Sequence, residues 1–434
     1  MTASWIGKQT GNMKLAWLKK SARVGGGKPS RAMGTALLLS CSWVSSGAQT
    51  GGGVIQLPPI DAALERKQLY VDMGGTQAPL LNVARKAFKL HGGYREVPPG
   101  KGHYSFEFAL SGPTGVNLRV SRGTPRQVVS SRVFSGTDWK EAMFRACDSA
   151  VLQTLKIPGF FSGRLAFVSD RSGSKEIWVG DAMLSSASPK TNFRKTIFNT
   201  SWDATGSGVF FTSNRKVVNC VEHLNLSDGK ITNVASYRGG SLRGSQNPRD
   251  GRLALILSTT GNPELWLADS IRSKPRRITR NKSNESGPCW SPDGRRLIVT
   301  SDAMGKAQLY QVSLSSGKLT RISTNVSRHC AEATWNPLNP NLVAFTAAAG
   351  GFQTAVYDFS TGKSRILTGG SGDCIQPCWT NDGRHLICVE RHSNGKQFLV
   401  LLDAESTQSP VPRIRLHDER FGNCRQPGFH YPRS

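Results

Sequence analysis

A motif that recurs at a fixed distance along the chain limits the folds available to it. The segment Gly163–Asp181 aligns without a gap on Gly251–Asp269, 88 residues further on. Turn sequences such as Pro292-Asp293-Gly294 recur at about half that spacing, with short apolar, β-branched runs between them. Four short strands per unit of about 40–45 residues are typical of a β-propeller blade, because stacking the blades radially protects their edges.

The turn signals set the number of blades. Units begin near residues 163, 202, 247, 290, 335 and 379, which predicts six blades. The tail Cys424–Phe429 repeats the sequence that starts the last unit, Cys374–Trp379, yet no further strands follow it. The first unit lacks such a starting strand. We therefore predict that the tail supplies it and closes the ring.

A different pattern precedes the repeats. Alternating apolar and polar residues predict strands around Tyr104–Leu110 and Val116–Val120, with a third over Gln127–Phe134. Helices are predicted over Leu80–Lys89 and after a cap at Asp138. The expected fold class is mainly β, a six-bladed β-propeller over residues 158–434 preceded by a small α+β domain over residues 60–157.

The first 48 residues have the pattern of an export signal. Basic residues precede a short apolar core, and small residues lead to a cleavage site after Ala48. Residues 49–59 are then a flexible segment. In a second interpretation, Cys41 belongs to a lipobox and is acylated. Translation starts at Met1 or at Met13, and the sequence leaves both open.

Charge and cysteine content restrict the possible ligands. The formal net charge is +27, and removing residues 1–48, which carry seven bases and no acid, leaves +20. A polyanion-binding surface is one alternative function, but no aromatic residues are interleaved with the bases, so no specific nucleic acid is expected. The eight cysteines after Ala48 lack metal-ligand spacing and are predicted to be buried thiols, with their disulfide pairing left open. No metal or cofactor is expected.

Catalytic motifs give little support for an enzyme. The sequence contains neither G-x-S-x-G nor H-E-x-x-H. His329 lies beside Cys330 and near Glu332, which makes this the one cluster that could hold a nucleophile and a base at a loop. A hydrolase or lactonase acting at the central channel is therefore kept as an alternative to a binding function.

Two stretches carry a family resemblance. The run Ile157–Ser169 and the turn Trp290–Gly294 resemble the corresponding parts of the TolB family, and the likeness covers residues 135–434 better than residues 60–134. It implies a non-enzymatic, monomeric periplasmic protein of the Tol-Pal envelope system, peripheral to the outer membrane and peptidoglycan.

The resemblance also implies partners and a site. In the family, loops before each blade's first strand form a mouth that binds a peptidoglycan-associated lipoprotein (Pal-like), and a flexible N-terminal segment, here 49–57, contacts the inner-membrane protein TolA. This chain departs from the pattern at residues 238–244, which lack the family's histidine, and at Gln246, where an aromatic residue is usual. The partner-binding residues implied here are Gly240, Ser241, Arg243, Asn284, Glu285, Ser286, Arg328, His329 and Asp373.

Overall fold

The computed structural model describes residues 68–75 and 77–432. Residues from Ala63 onward group into one compact unit, so the predicted boundary at residues 157/158 stays a prediction. The expected export signal (1–48) with Cys41 and the segment 49–59 lie outside the described residues. In the described part of the chain, no helix combines the length and apolar character needed to cross a membrane.

A five-stranded mixed sheet and two helices come first. The strands are arranged in the order β2-β1-β3-β4-β5, and β1 pairs in parallel with both β2 and β3. The three predicted strands are present as β3, β4 and β5, whereas β1 and its parallel pairing were not predicted. The elements are β1 Leu69–Gly75, α1 Ala78–His91, β2 Tyr94–Glu96, β3 Tyr104–Leu110, β4 Gly115–Arg122, β5 Gln127–Ser135 and α2 Trp139–Leu155.

The start of α2 follows from its capping residues. The Asp138 carboxylate accepts hydrogen bonds from the main-chain N–H of Lys140 (2.9 Å) and Glu141 (2.8 Å). The Glu141 carboxylate in turn accepts from the main-chain N–H of Thr137 at 2.8 Å. These bonds satisfy N–H groups that the first helical turn leaves without partners, so the helix begins where the sequence predicts.

Six four-stranded antiparallel sheets follow, which confirms the predicted six-bladed propeller. From the inner to the outer strand, blade one comprises β29 Cys424–His430, β6 Arg164–Ser169, β7 Glu176–Asp181 and β8 Ala187–Pro189, and blade two β9 Ile197–Trp202, β10 Gly208–Ser213, β11 Cys220–Asn225 and β12 Ile231–Ala235. Blade three comprises β13 Ser241–Gln246, β14 Leu253–Leu257, β15 Glu264–Ala268 and β16 Arg276–Arg277, and blade four β17 Glu285–Trp290, β18 Leu297–Ser301, β19 Gln308–Val312 and β20 Leu319–Arg321. Blade five comprises β21 Cys330–Trp335, β22 Leu342–Ala348, β23 Phe352–Asp358 and β24 Lys363–Ile366, and blade six β25 Asp373–Trp379, β26 His385–Arg391, β27 Gln397–Asp403 and β28 Ile414–Arg415.

The C-terminal strand closes the ring. β29 pairs antiparallel with β6, with Cys424 opposite Ser169 and His430 opposite Arg164. A short 3-10 turn, Glu419–Phe421, leads into it. Because β29 is the inner strand of blade one, the last residues of the chain hold its first repeat in place and leave β6 without an open edge.

Tryptophans join neighbouring blades. The indole N–H of Trp379 in blade six donates to the carbonyl of Thr334 in blade five at 3.2 Å, and Trp290 in blade four bonds in the same way to Ser245 in blade three at 3.1 Å. Blade three has Gln246 at the corresponding position, the last residue of β13. Trp202 bonds to Gly428 of blade one, whereas Trp335 bonds to Pro340 of its own blade. Three of the four recurring tryptophans therefore have a structural role at a blade boundary.

Candidate functional site

One end of the propeller collects two sets of loops. Because the four strands of each blade run antiparallel, the loop from its second to its third strand lies at the same end as the loop to the next blade. Asn284 illustrates this proximity, since its main-chain N–H and side-chain amide donate to Asp302 at 2.8 and 2.7 Å. We call these segments the mouth loops: 170–175, 190–196, 214–219, 236–240, 258–263, 278–284, 302–307, 322–329, 349–351, 367–372, 392–396 and 416–423.

Five of the implied binding residues lie at this end with some exposure. Asn284, Ser286 and Arg328 are exposed. His329 is half-buried, with its ring edge-on to Phe352 at a centroid distance of 5.5 Å, and burial lowers its pKa. Asp373 is also half-buried; it is ion-paired with Arg391 and accepts the main-chain N–H of Phe352 at 2.8 Å.

Three other implied residues belong to the framework instead. Glu285 is 1 % exposed, and its carboxylate accepts hydrogen bonds from Thr279 (2.8 Å) and Ser301 (3.1 Å). Burial raises the pKa of Glu285. Ser241 is fully buried, and Gly240 is buried with its carbonyl accepting the N–H of Ser258 at 3.0 Å. None of the three is accessible to a partner, so we remove them from the candidate site.

The cluster around His329 does not have catalytic geometry. Cys330 is buried and its thiol lies 3.3 Å from the hydroxyl of Thr324, while burial raises its pKa. The Glu332 carboxylate accepts from Thr346 at 2.8 Å. With its thiol and carboxylate both held by framework hydroxyl groups, this segment lacks the nucleophile–base contact that covalent catalysis requires.

Below the mouth, the inner strands form a polar ring around the channel that the sequence analysis did not identify. Each inner strand contributes the residue three positions before its tryptophan, or before Gln246 and Phe429, which take that place in blades three and one. Five of the six have φ between 53° and 59°, a left-handed conformation that is uncommon outside glycine. We call this set the throat ring: Asn199, Arg243, Gly287, Glu332, Gln376 and Gln426.

Side chains of the throat ring bind the main chain of the next blade. The main-chain N–H of Gln376 donates to Glu332 at 3.1 Å, that of Gln426 to Gln376 at 2.9 Å, and that of Asn199 to Gln426 at 2.7 Å. The Asn199 amide donates to the carbonyl of Leu242 at 2.7 Å. Amide and carboxylate groups therefore join blades five, six, one, two and three in sequence around the channel.

The throat ring is interrupted at blades three and four. Gly287 has no side chain. Arg243 is the one ring residue whose φ is not positive, and its Nε is buried without a hydrogen-bond partner. Glu332 of blade five attracts Arg243 electrostatically. Because Arg243 stands on β13, the inner strand of blade three, at the same place as the other ring residues, we assign it to the throat.

Exposed bases surround the mouth. Val217 and Met304 are the exposed large apolar side chains of the described mouth loops. The exposed acids there are Asp418 and Glu419, and both are already ion-paired, with Arg420 and with Lys396. Three exposed bases of the same loops are ion-paired with acids: Arg215, Lys396 and Arg420. The exposed bases that form no ion pair with a described acid are Arg171, Lys190, Arg194, Lys195, Lys216, Arg238, Arg280, Lys282 and Arg328. Exposed bases also occur at the opposite end of the propeller, but there they alternate with exposed acids such as Asp228, Asp250 and Asp293. The described mouth loops therefore have the larger excess of positive charge.

A buried histidine cluster lies where α1 meets blade six. His91, Asp382 and His385 offer atoms within 4.8 Å of one another, the one such group found among the described residues. His385 Nδ1 lies 2.5 Å from the Asp382 carboxylate and its Nε2 lies 3.0 Å from the carbonyl of His91. Both ring nitrogens of His385 lie at hydrogen-bond distance from oxygen atoms, so the ring is already engaged within the fold. We assign the cluster to the contact between helix and blade.

Comparisons with known proteins agree with this architecture. The family described as the TolB beta propeller domain matches residues 153–427. A Tol-Pal system protein TolB of Bordetella pertussis is 27% identical over 215 residues, 48% of each chain, so the chain spans about half the length of such curated relatives. A Protein TolB homolog of Chlorobium chlorochromatii is 32% identical over 142 residues, 32% of each chain.

A solved structure shows the same fold. The crystal structure of TolB from Acinetobacter baumannii superposes with a TM-score of 0.72 at 18% identity, covering 84% of this chain and 96% of that one. The sheet order, the closing strand and the matched segment lead to the same conclusion. The chain belongs to the TolB family, a family of non-enzymatic propeller proteins.

Proposed function

We propose that this chain is a periplasmic protein of a Tol-Pal system and that its mouth binds a peptidoglycan-associated lipoprotein. The binding residues proposed are Asn284, Ser286, Arg328, His329 and Asp373, with Arg243 at the throat. A contact between the segment 49–57 and a TolA-like inner-membrane protein stays a prediction.

One observation carries the proposal: the mouth presents exposed charged and apolar side chains on loops held by a rigid ring. Loops on a rigid scaffold favour recognition, because little conformational entropy is lost when a partner binds. Asn284 is fixed by Asp302, and Asp373 by Arg391, before any partner arrives. Arg328 lies between them along the chain and is exposed. The hydrolase alternative has no comparable support, since Cys330 and Glu332 are held by framework hydroxyl groups.

Calorimetric titration with the detergent-solubilised lipoprotein of the same organism tests the proposal. We expect Arg328→Glu to weaken binding at least about tenfold, because a repulsive charge replaces an attractive one at the contact. The matched control is Arg272→Glu: Arg272 is exposed and lies between the third and fourth strands of blade three, at the opposite end of the propeller. Equal loss in both variants, or no binding by the unmodified chain, would reject the mouth as the site.

A further inference from the structure

The gap in the throat ring leaves a cation without a partner. In blades five, six and one, a side-chain oxygen of the ring accepts the main-chain N–H of the following blade. At blade three that place is taken by Arg243, which has donors only, and at blade four by Gly287, which has no side chain. The chain of hydrogen bonds therefore stops where a guanidinium enters the channel.

No protein group neutralises this guanidinium among the described residues. Its Nε is buried without a hydrogen-bond partner, and Arg243 belongs to none of the ion pairs among residues 68–75 and 77–432. Glu332 attracts it from a distance, but the Glu332 oxygens already accept bonds from Thr346 and Gln376. Burial lowers the pKa of Arg243. A half-buried cation without an ion-pair partner is costly, and an anionic ligand would lower that cost.

The mouth loops, which a ligand must pass to reach the throat, carry positive charge. Nine exposed bases of the mouth loops form no ion pair with a described acid, whereas the exposed acids Asp418 and Glu419 are both ion-paired. A concave opening lined by one sign of charge concentrates ligands of the other sign. An anionic group is therefore drawn toward the channel in which Arg243 lies.

The apolar side chains at the mouth favour a polypeptide over a nucleic acid. Met304 is 68% exposed and Val217 is fully exposed, and both are aliphatic. The aromatic rings of the neighbouring loops are less accessible: Phe193 stacks against Phe211 and carries Arg215 over its face at 4.2 Å. Single-stranded nucleic acids are held by exposed aromatic platforms, whereas aliphatic loop tips suit the side chains of a protein.

We propose that the mouth binds an acidic polypeptide segment and that one of its carboxylates enters the throat and pairs with Arg243. The inference rests on the proposed function in that both use the same mouth, and it adds the chemistry of the partner. A guanidinium offers a carboxylate two parallel N–H donors, so a bidentate pair fits the gap left by Gly287.

The test uses the full chain and a fluorescent glutamate hexapeptide as probe, followed by anisotropy between about 50 and about 300 mM salt. We expect Arg243→Met and Arg243→Gln to weaken peptide binding at least about tenfold. Both variants should unfold at or above the temperature of the unmodified chain, because they remove a half-buried cation that has no ion-pair partner among the described residues. Arg272→Glu, at the far end of the propeller, should bind as the unmodified chain does. Binding that is absent, or equal in all variants, would overturn the proposal.

Two further measurements separate the possible failures. A single-stranded DNA oligomer should bind more weakly than the peptide and without dependence on Arg243; tighter, Arg243-dependent DNA binding would overturn the polypeptide assignment. If the lipoprotein binds while the acidic peptide does not, the throat proposal fails and the proposed function stands. If the peptide binds through Arg243 but the lipoprotein does not bind, the proposed function fails and the throat proposal stands.

Discussion

The Nε2 atom of His385 lies 3.0 Å from the carbonyl oxygen of His91, the last residue of α1. Its other ring nitrogen faces Asp382 at 2.5 Å, and all three residues are buried. The His385 ring thus meets the carbonyl end of a helix and a carboxylate together. This contact fixes α1 against the blade-six turn, at the opposite end of the propeller from the mouth.

Replacing His385 should destabilise the fold strongly. In His385→Leu the buried Asp382 carboxylate loses the ring that contacts it, and removing one partner of a buried pair costs about 3–5 kcal/mol. His392→Leu is the matched control, because His392 is partly exposed beside Glu390 and its loss should cost about 1 kcal/mol or less. Urea unfolding of both variants measures the difference. Equal costs would contradict the role assigned to His385.

The neutral, buried ring of His91 predicts a dependence of stability on pH. Burial, reinforced by the charge of His385, lowers the pKa of His91 to about 3. As pH falls below about 6.5, the unfolded chain takes up a proton that the folded chain refuses, so stability is lost at about 1.4 kcal/mol per pH unit. Above that pH the stabilising contribution is fully present.

His91→Phe isolates this effect. Burial raises the pKa of Asp148 to about 6, which gives an opposite slope in the same acidic range, but that slope is common to both proteins. The difference in unfolding free energy between the unmodified chain and His91→Phe should therefore fall by about 1.4 kcal/mol per unit between about pH 6 and pH 4. A difference that does not vary with pH would show that His91 is protonated in the folded state.

Removing the last strand should open the ring. Truncation after Asn423 deletes β29 and leaves β6, with its buried Leu165 and Phe167, as an unprotected edge. We expect loss of the cooperative thermal transition and aggregation. Deleting only Arg433 and Ser434 keeps β29 complete and should leave the transition unchanged. A cooperative, unshifted transition in the long truncation would contradict closure by β29.

The six-bladed propeller could be predicted from the sequence because the signals of each blade are local. Turn sequences such as Pro292-Asp293-Gly294 and alternating strands recur from unit to unit, and the tail at Cys424 matches the start of a unit. The throat ring was missed because its bonds join residues of different blades, as between Gln376 and Gln426. A signal was present: one polar residue stands three positions before most of the tryptophans.

Burial and strand order explain the other differences between the sequence-based predictions and the structure. Ser241 and Glu285 were placed at the mouth by their positions in the chain, but side chains alternate between the two faces of a strand, so only some residues near a loop face solvent. The parallel strand β1 carries no local signal of its partners, since β2 and β3 come later in the chain. Gln246 shows that a blade keeps its geometry without the recurring tryptophan.

Hydrogen–deuterium exchange of the chain with and without the lipoprotein tests the account most directly. Slower exchange is predicted in the mouth loops 278–284 and 322–329, where Asn284 and Arg328 lie, because a partner at the mouth covers them. The loop 313–318, at the other end of blade four, should exchange at an unchanged rate. Protection confined to the loop 313–318, with none at the mouth, would contradict the account.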